Sequence, residues 1–189
     1  MTVVTWIVLG VLFLVVLPLV MSYNRFVTQR NLVRNAWSNI DTELQRRYDL
    51  VPNLVETVKA YAAHERSVLE DVTQARAAAA AQDGTPAEQA AAEAPLVGAL
   101  RQLFAVAENY PRLVASDSFL KLQHELAITE DRLQAARRFF NANVQSYNTR
   151  VQSFPSNLVA RLFHFTEDEY FEIEAAVREE VRRPPRVES

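Results

Sequence analysis

Cysteine is absent from this 189-residue chain. That absence excludes disulfides, thiolate metal sites, a cysteine nucleophile and a lipid-bearing N-terminal cysteine. Glycine occurs only three times. So little glycine disfavours a turn-rich β fold and leaves no glycine loop to cradle phosphate. A basic excess is also missing: 20 Lys and Arg stand against 23 Asp and Glu, for a net charge of −3. No extended nucleic-acid surface is expected from that balance. Histidine occurs three times, as His64, His124 and His164. None has a Glu three residues before it, as a di-metal carboxylate bundle requires. Neither His64-Glu65 nor His124-Glu125 has the second histidine of a zinc-protease helix, and no Gly-x-Ser-x-Gly elbow exists. The sequence therefore predicts no catalytic residue, no metal ligand and no cofactor.

What the chain does have is a long uncharged apolar run, from Val3 to Met21. As a helix, its roughly 19 residues at about 1.5 Å each match the thickness of a bilayer core. A cleaved signal peptide would need a basic start, a shorter run and small residues before the cut. The start here, Met1-Thr2-Val3-Val4-Thr5, carries no base. The reading is an uncleaved single-pass anchor over residues 1–22. Arg25, Arg30 and Arg34 follow the run, and no acid appears before Asp41. Positive charge favours the cytoplasmic side, so the N-terminus is expected outside and the remaining chain inside.

After Tyr23, helical periodicity dominates. Val33, Trp37, Ile40, Leu44 and Tyr48 mark a first helix that continues out of the apolar run. Asp49-Leu50-Val51-Pro52 is read as an interruption, because proline lacks an N–H and suits a first turn. Leu54, Val58, Tyr61, Val68 and Val72 define a second helix that fades into Ala77–Ala81. Asp83-Gly84-Thr85-Pro86 breaks the chain, and Thr85 with Glu88 forms a capping box. A weaker third helix carries Leu96, Leu100, Leu103 and Ala107, and the alanine-rich region 75–94 reads as a loose hairpin. The fourth helix, capped by Asp117 or Ser118, has a heptad seam typical of a coiled coil. It runs through Phe119, Leu122, Leu126, Thr129, Leu133, Ala136, Phe140, Val144, Tyr147, Val151 and Phe154. Thr166 and Glu169 suggest a further short helix containing Tyr170, Phe171, Ile173 and Val177, before a polar tail. The fold class is all-α, an N-terminal transmembrane helix plus an antiparallel four-helix bundle. A first and second helix joined by a kink, giving three long helices, is the alternative.

One polar stretch stands out: Asn35, Trp37, Asp41, Arg46, Arg47, Asp49, Asn53 and Glu56, with Ser38 among them. It reads either as a partner-binding face or as inter-helix bridges that fix bundle register.

The same stretch carries a resemblance. Ala36-Trp37-Ser38-Asn39-Ile40-Asp41, Arg46-Arg47-Tyr48-Asp49-Leu50-Val51-Pro52-Asn53-Leu54-Val55 and Tyr61-Ala62-Ala63-His64-Glu65 resemble the LemA family signature. Ala107-Glu108-Asn109-Tyr110-Pro111, Arg137-Arg138-Phe139-Phe140-Asn141 and Phe154-Pro155-Ser156-Asn157-Leu158 continue it in order. The resemblance runs from Tyr23 to Phe165 and implies a bacterial, membrane-anchored bundle over 23–165 with no established enzymatic activity. It implies a scaffold or adaptor for protein partners, with an accessory subunit of a membrane metalloprotease as the alternative and an enzyme with an unrecognised site as a third. The expected partners are the lipid bilayer, an unidentified protein, with a membrane metalloprotease as one candidate, and a second copy of the chain, while the charge balance leaves no nucleic acid among them. Some relatives resemble lipoproteins, which points to the opposite orientation. Two features depart from the family pattern: His164-Phe165 where Gly-Phe is frequent, and the helical extension Thr166 to Arg183, which with the tail makes up 166–189.

Overall fold

The apolar repeat of three and four residues becomes helix almost everywhere in the computed structural model, which describes residues 3–172. The order is α1 (Val3–Lys59), α2 (Arg66–Ala80), α3 (Pro86–Ala107), α4 (Pro111–Val114), α5 (Asp117–Gln152) and α6 (Ser156–Leu162). Among the described residues there is no strand. The chain is all-α, as its composition dictates.

The main departure lies in α1. The expected interruption at residues 49–52 does not occur, and the helix passes through Pro52 to Lys59. Proline inside a helix removes the hydrogen bond to the carbonyl four residues back, here that of Tyr48. Arg76 on α2 supplies the replacement: its Nε donates to the Tyr48 carbonyl at 3.1 Å. Pro52 itself is exposed, so its ring meets solvent and not a neighbouring helix. The break comes instead at residues 60–65, where Ala62 is buried and its N–H closes the helix on the Val58 carbonyl at 2.8 Å. The first and second helices of the sequence reading are thus one helix plus a separate α2.

The described residues divide into two units, 3–38 with 139–168, and 39–138 with 169–172. In the second unit, Val51, Leu54, Val58, Val68, Leu69, Val72, Leu103 and Leu113 form the core. Polar contacts give its topology. Tyr48 faces Arg76 of α2 and Glu93 of α3, while Tyr110, past the end of α3, reaches Glu65 just before α2. Successive helices therefore alternate in direction, and the C-terminal part of α1, α2, α3 and the first part of α5 make an antiparallel four-helix bundle. The alanine-rich region is packed, not loose: Ala79, Ala90 and Ala94 are buried between α2 and α3. The expected capping box holds α3, with Glu88 N–H donating to Thr85 and Thr85 N–H to the Glu88 carboxylate. At α5 the capping oxygen belongs to Ser116, which accepts from Phe119 N–H, and not to Asp117 or Ser118. Pro95 lies inside α3 on an exposed face, where water can satisfy the carbonyl it frees.

In the first unit, Phe26 meets Tyr147 at 6.1 Å between ring centres, and Trp37 meets Phe140 at 5.3 Å. Rising numbers on α1 against falling numbers on α5 show the two helices to be antiparallel here. Every large side chain from Val3 to Met21 is exposed. The seam of α5 is buried at Phe119, Leu126, Thr129, Leu133, Phe140, Val144 and Tyr147 and half-buried at Leu122, Ala136 and Val151. Its last expected member, Phe154, is 80% exposed, because α5 stops at Gln152 and the chain turns.

At the end of α6, His164 adopts φ 56°. Phe165 N–H then bonds back to the Ala160 carbonyl at 2.9 Å, the hydrogen bond of a left-handed helix stop. The turn lays Phe165 on Phe26, with ring centres 4.8 Å apart and planes 12° from parallel. This left-handed conformation explains why Gly-Phe suits the position: glycine meets no Cβ penalty there. We predict that His164→Gly stabilises the protein by about 1 kcal/mol, read as a raised thermal midpoint. An unchanged or lowered midpoint would remove the explanation.

Residues 165–172 continue without regular structure, so the helix expected from Thr166 and Glu169 is absent there. Asn148 holds the strap at both faces of one residue: its amide donates to the Asp168 carbonyl and accepts from the Asp168 N–H, each at 2.9 Å. A side-chain clamp of this kind satisfies the backbone without a helix. Ile173 and Val177, and the tail beyond them, lie outside the described residues. Burial raises the Asp168 carboxyl above the usual range, with Arg30 and Arg34 opposing that shift. A carboxyl raised on folding favours the native state at acid pH and loses that contribution as pH rises through its folded value. Asp168→Asn should accordingly raise the thermal midpoint at neutral pH, and the gain should vanish in acid below the ordinary carboxylate range. A gain that persisted in acid would point to a different cause.

Candidate functional site

Four helices of the second unit meet at one ionic cluster. Arg47 of α1 is 2% exposed. Its Nη1 donates to Glu93 of α3 at 2.7 Å, and its Nη2 donates to Glu130 of α5. Glu93 is fully buried and also accepts from the Tyr48 hydroxyl. Gln89, one turn before Glu93, donates its amide to the Tyr48 oxygen at 3.0 Å and to the Ala79 carbonyl of α2 at 3.2 Å. Arg76 completes the set through the Tyr48 carbonyl.

The electrostatics follow from burial. Desolvation pushes the Tyr48 hydroxyl well above its ordinary value, reinforced by the hydrogen bond and charge of Glu93 and offset in part by Arg47. The phenol therefore stays protonated and acts as a donor. Arginine stays charged at any accessible pH. The remaining members pair their charges with one another across the helices, Arg47 with Glu93 and with Glu130. The cluster is an inter-helix lock in the geometric sense: its bonds tie α1 to α3 and α5, and α3 to α2.

A cleft of about 380 Å³ opens beside the lock, with Arg47 and Glu130 at one edge and Leu100, Phe104 and Leu126 among its apolar walls. The three histidines are all exposed, and among the described residues no group of metal-ligating side chains is found.

The residues singled out in the sequence separate into two populations. Arg47 is locked in the interior, Arg46 forms a half-exposed pair with Glu125 at 3.1 Å, and Trp37 packs on Phe140. A pair as exposed as Arg46–Glu125 contributes at most about 1 kcal/mol. Asn35, Asp41, Asp49, Asn53 and Glu56 are exposed. Of these, Asp49, Asn53 and Glu56 of the second unit, with Thr42, recur on the side of α1 opposite Ile40, Leu44, Val51 and Leu54. Asp49 accepts from Gln45 at 3.0 Å along that side. Buried inter-helix pairs and exposed polar side chains are thus carried by different residues of the stretch. The sequence reading missed Gln89, Glu93 and Glu130. A signal existed for two of them: Gln89 and Glu93 stand one turn apart in an otherwise alanine-rich helix, a spacing that places both on one face.

The family model described as LemA family matches residues 36–188. That span includes the segment after Thr166, so the C-terminal extension is not the departure it seemed. Magnetosome protein MamQ of Magnetospirillum gryphiswaldense is 29% identical over 178 residues, covering 81% of this chain and 65% of the relative. Magnetosome protein MamQ 2 of Paramagnetospirillum magneticum is 28% identical over 179 residues, covering 82% of this chain and 66% of the relative. Protein LemA of Metamycoplasma hominis is 28% identical over 141 residues, covering 73% of this chain and 63% of the relative. The chain thus spans just under two thirds of the length of each of these relatives.

Proposed function

The chain belongs to the LemA family, and from that premise we propose that it is a membrane-anchored, non-catalytic helical scaffold that presents a protein-binding face. One observation carries the reading: a single helix joins an entirely exposed apolar run, Val3–Met21, to a bundle whose buried charges are spent on register. An exposed run of that length finds its apolar solvent in a bilayer. The helix α3 is also long and apolar, but it is partly buried in the bundle and carries the locked Glu93, so it serves as a core helix. The outward polar side of α1 from Thr42 to Glu56 is the face offered to a partner, and the buried Arg47 on the other side of the helix is its support.

Two measurements test the proposal. Carbonate washing should leave the full chain in the membrane pellet; release into the supernatant would end the anchor reading. A photo-crosslinking residue at Asp49 or Asn53 should give a discrete protein adduct in native membranes, with none from Arg132, exposed on α5. Adducts of equal yield from both positions would sink the partner face.

Orientation follows the charge rule in the same proposal. Arg25, Arg30 and Arg34, with no acid before Asp41, support a cytoplasmic domain. An alkaline phosphatase fused after Ser189 should be silent, and a fluorescent protein that matures only inside should be bright. Changing the three arginines to glutamate should scramble that pattern, whereas the reverse pattern in the unaltered chain would put the domain outside.

A further inference from the structure

The first unit ends in a corner that no contact of the bundle explains. Phe154, Leu158, Leu162 and Phe163 are 80%, 55%, 63% and 47% exposed. They are not scattered. Leu158 and Leu162 are one turn apart on α6, whose opposite side buries Val159 and Ala160. Phe154 and Phe163 flank the same short helix.

Two independent markers place this corner at the end of the apolar run. Tyr23 packs its ring on Phe163 at 4.8 Å and on Phe165 at 5.7 Å, and Tyr23 stands two residues past Met21. The antiparallel register gives the second. From the Phe26–Tyr147 contact, α5 runs five more residues to Gln152. At about 1.5 Å per residue, that descent reaches the level of Met21 on α1. Phe154 and α6 therefore begin where the run of exposed apolar side chains ends.

Charge agrees. No Asp or Glu occurs from 1 to 40 or from 132 to 166, while Arg25 and the α6 residue Arg161 are both exposed. Aromatic and leucine side chains beside arginine, on a corner that itself carries no acid, match the boundary between acyl chains and anionic headgroups; Glu167 and Asp168 come after it, where Asn148 holds the Asp168 backbone.

We propose that the corner formed by residues 153–163 is a second membrane contact, seating Phe154, Leu158, Leu162 and Phe163 in the interfacial layer of the bilayer that α1 enters. The proposal rests on the anchor reading above. It adds that the first unit lies against the lipid surface and is not held away from it. A large apolar patch on a protein needs a cover, and continuity with the exposed run makes lipid that cover, ahead of a second copy or another protein.

The absence of cysteine makes a direct test possible. Single variants Leu12→Cys, Leu158→Cys, Leu162→Cys and Gln102→Cys of the full chain would each carry an environment-sensitive fluorophore. The labelled proteins go into nanodiscs of phosphatidylcholine and phosphatidylglycerol, with and without brominated acyl chains. Labels at 158 and 162 should shift to the blue, be quenched several-fold more by brominated lipid than the label at 102, and be shielded from iodide. Iodide quenching at 158 and 162 equal to that at 102, with Leu12 still lipid-quenched, overturns this contact and leaves the anchor standing. Shielding from both quenchers means protein covers the patch, and also overturns it. A Leu12 label that brominated lipid does not reach defeats the anchor and this proposal together.

Discussion

Replacing Arg47 with methionine should destabilise the full-length protein by about 3–5 kcal/mol, the cost of leaving a buried charge without its partner. Domains of this size are stable by about 5–15 kcal/mol, so the variant should lose much of its margin. The reason is specific to the geometry. Glu93 has no exposure to water, and Arg47 is its charged donor. Without it, the carboxylate keeps only the Tyr48 hydroxyl and the Gln89 amide, neither of which balances its charge. Arg47→Lys should recover only part of the loss, because one ammonium cannot reach Glu93 and Glu130 with the two separate Nη donors that arginine uses. Pairing Arg47→Met with Glu93→Leu removes both buried charges and should restore most of the stability. Thermal denaturation of the four proteins in the same detergent reads the series. If the double variant is no better than the single, the loss comes from packing around Arg47 and not from a stranded charge.

Pro52→Ala should stabilise α1, by up to about 3 kcal/mol from helix propensity alone. The new N–H can donate to the Tyr48 carbonyl, which now depends on Arg76. The decisive comparison is a cycle. In the unaltered chain, Arg76→Ala strands a half-buried carbonyl and should cost about 1–3 kcal/mol. In the Pro52→Ala background the same change should cost much less, because the helix has its own donor. Equal costs in both backgrounds would mean that Arg76 acts through some other contact, and that Pro52 is accommodated without it.

That pair of residues also shows where sequence reading stops. Proline inside an apolar repeat carries a local message, and locally the message is a break. The compensation comes from a residue 24 positions along the chain, on a different helix. Nothing at positions 49–52 announces it. The true end of α1, at residues 60–65, lacks both proline and glycine and gave no signal. The lock was half legible for the same reason. Arg47 stood out as a charge beside a helix seam, but its partners lie 46 and 83 positions away, a separation that only packing closes. The seam of α5 was legible almost to its end, since a long heptad pattern leaves one face to bury. Alanine misled: its small side chain weakens an apolar pattern, yet it lets α2 and α3 approach closely enough to bury Ala79, Ala90 and Ala94.

The unbroken α1 also sets a rule for how this chain can change length. Phe26, Val33, Ala36, Ile40, Leu44, Val51, Leu54 and Val58 are buried along one helix with no loop between them. Each added residue advances a helix by about 100°. Within the second unit, one extra residue after Ile40 would turn Leu44, Val51, Leu54 and Val58 out of their seats, and α1 has no irregular segment there to absorb the slip. Insertions that survive should therefore come in sevens or elevens, or fall outside the rod. The natural place for a reporter or an epitope is the turn at Gln82–Gly84, where added length costs no rotational phase.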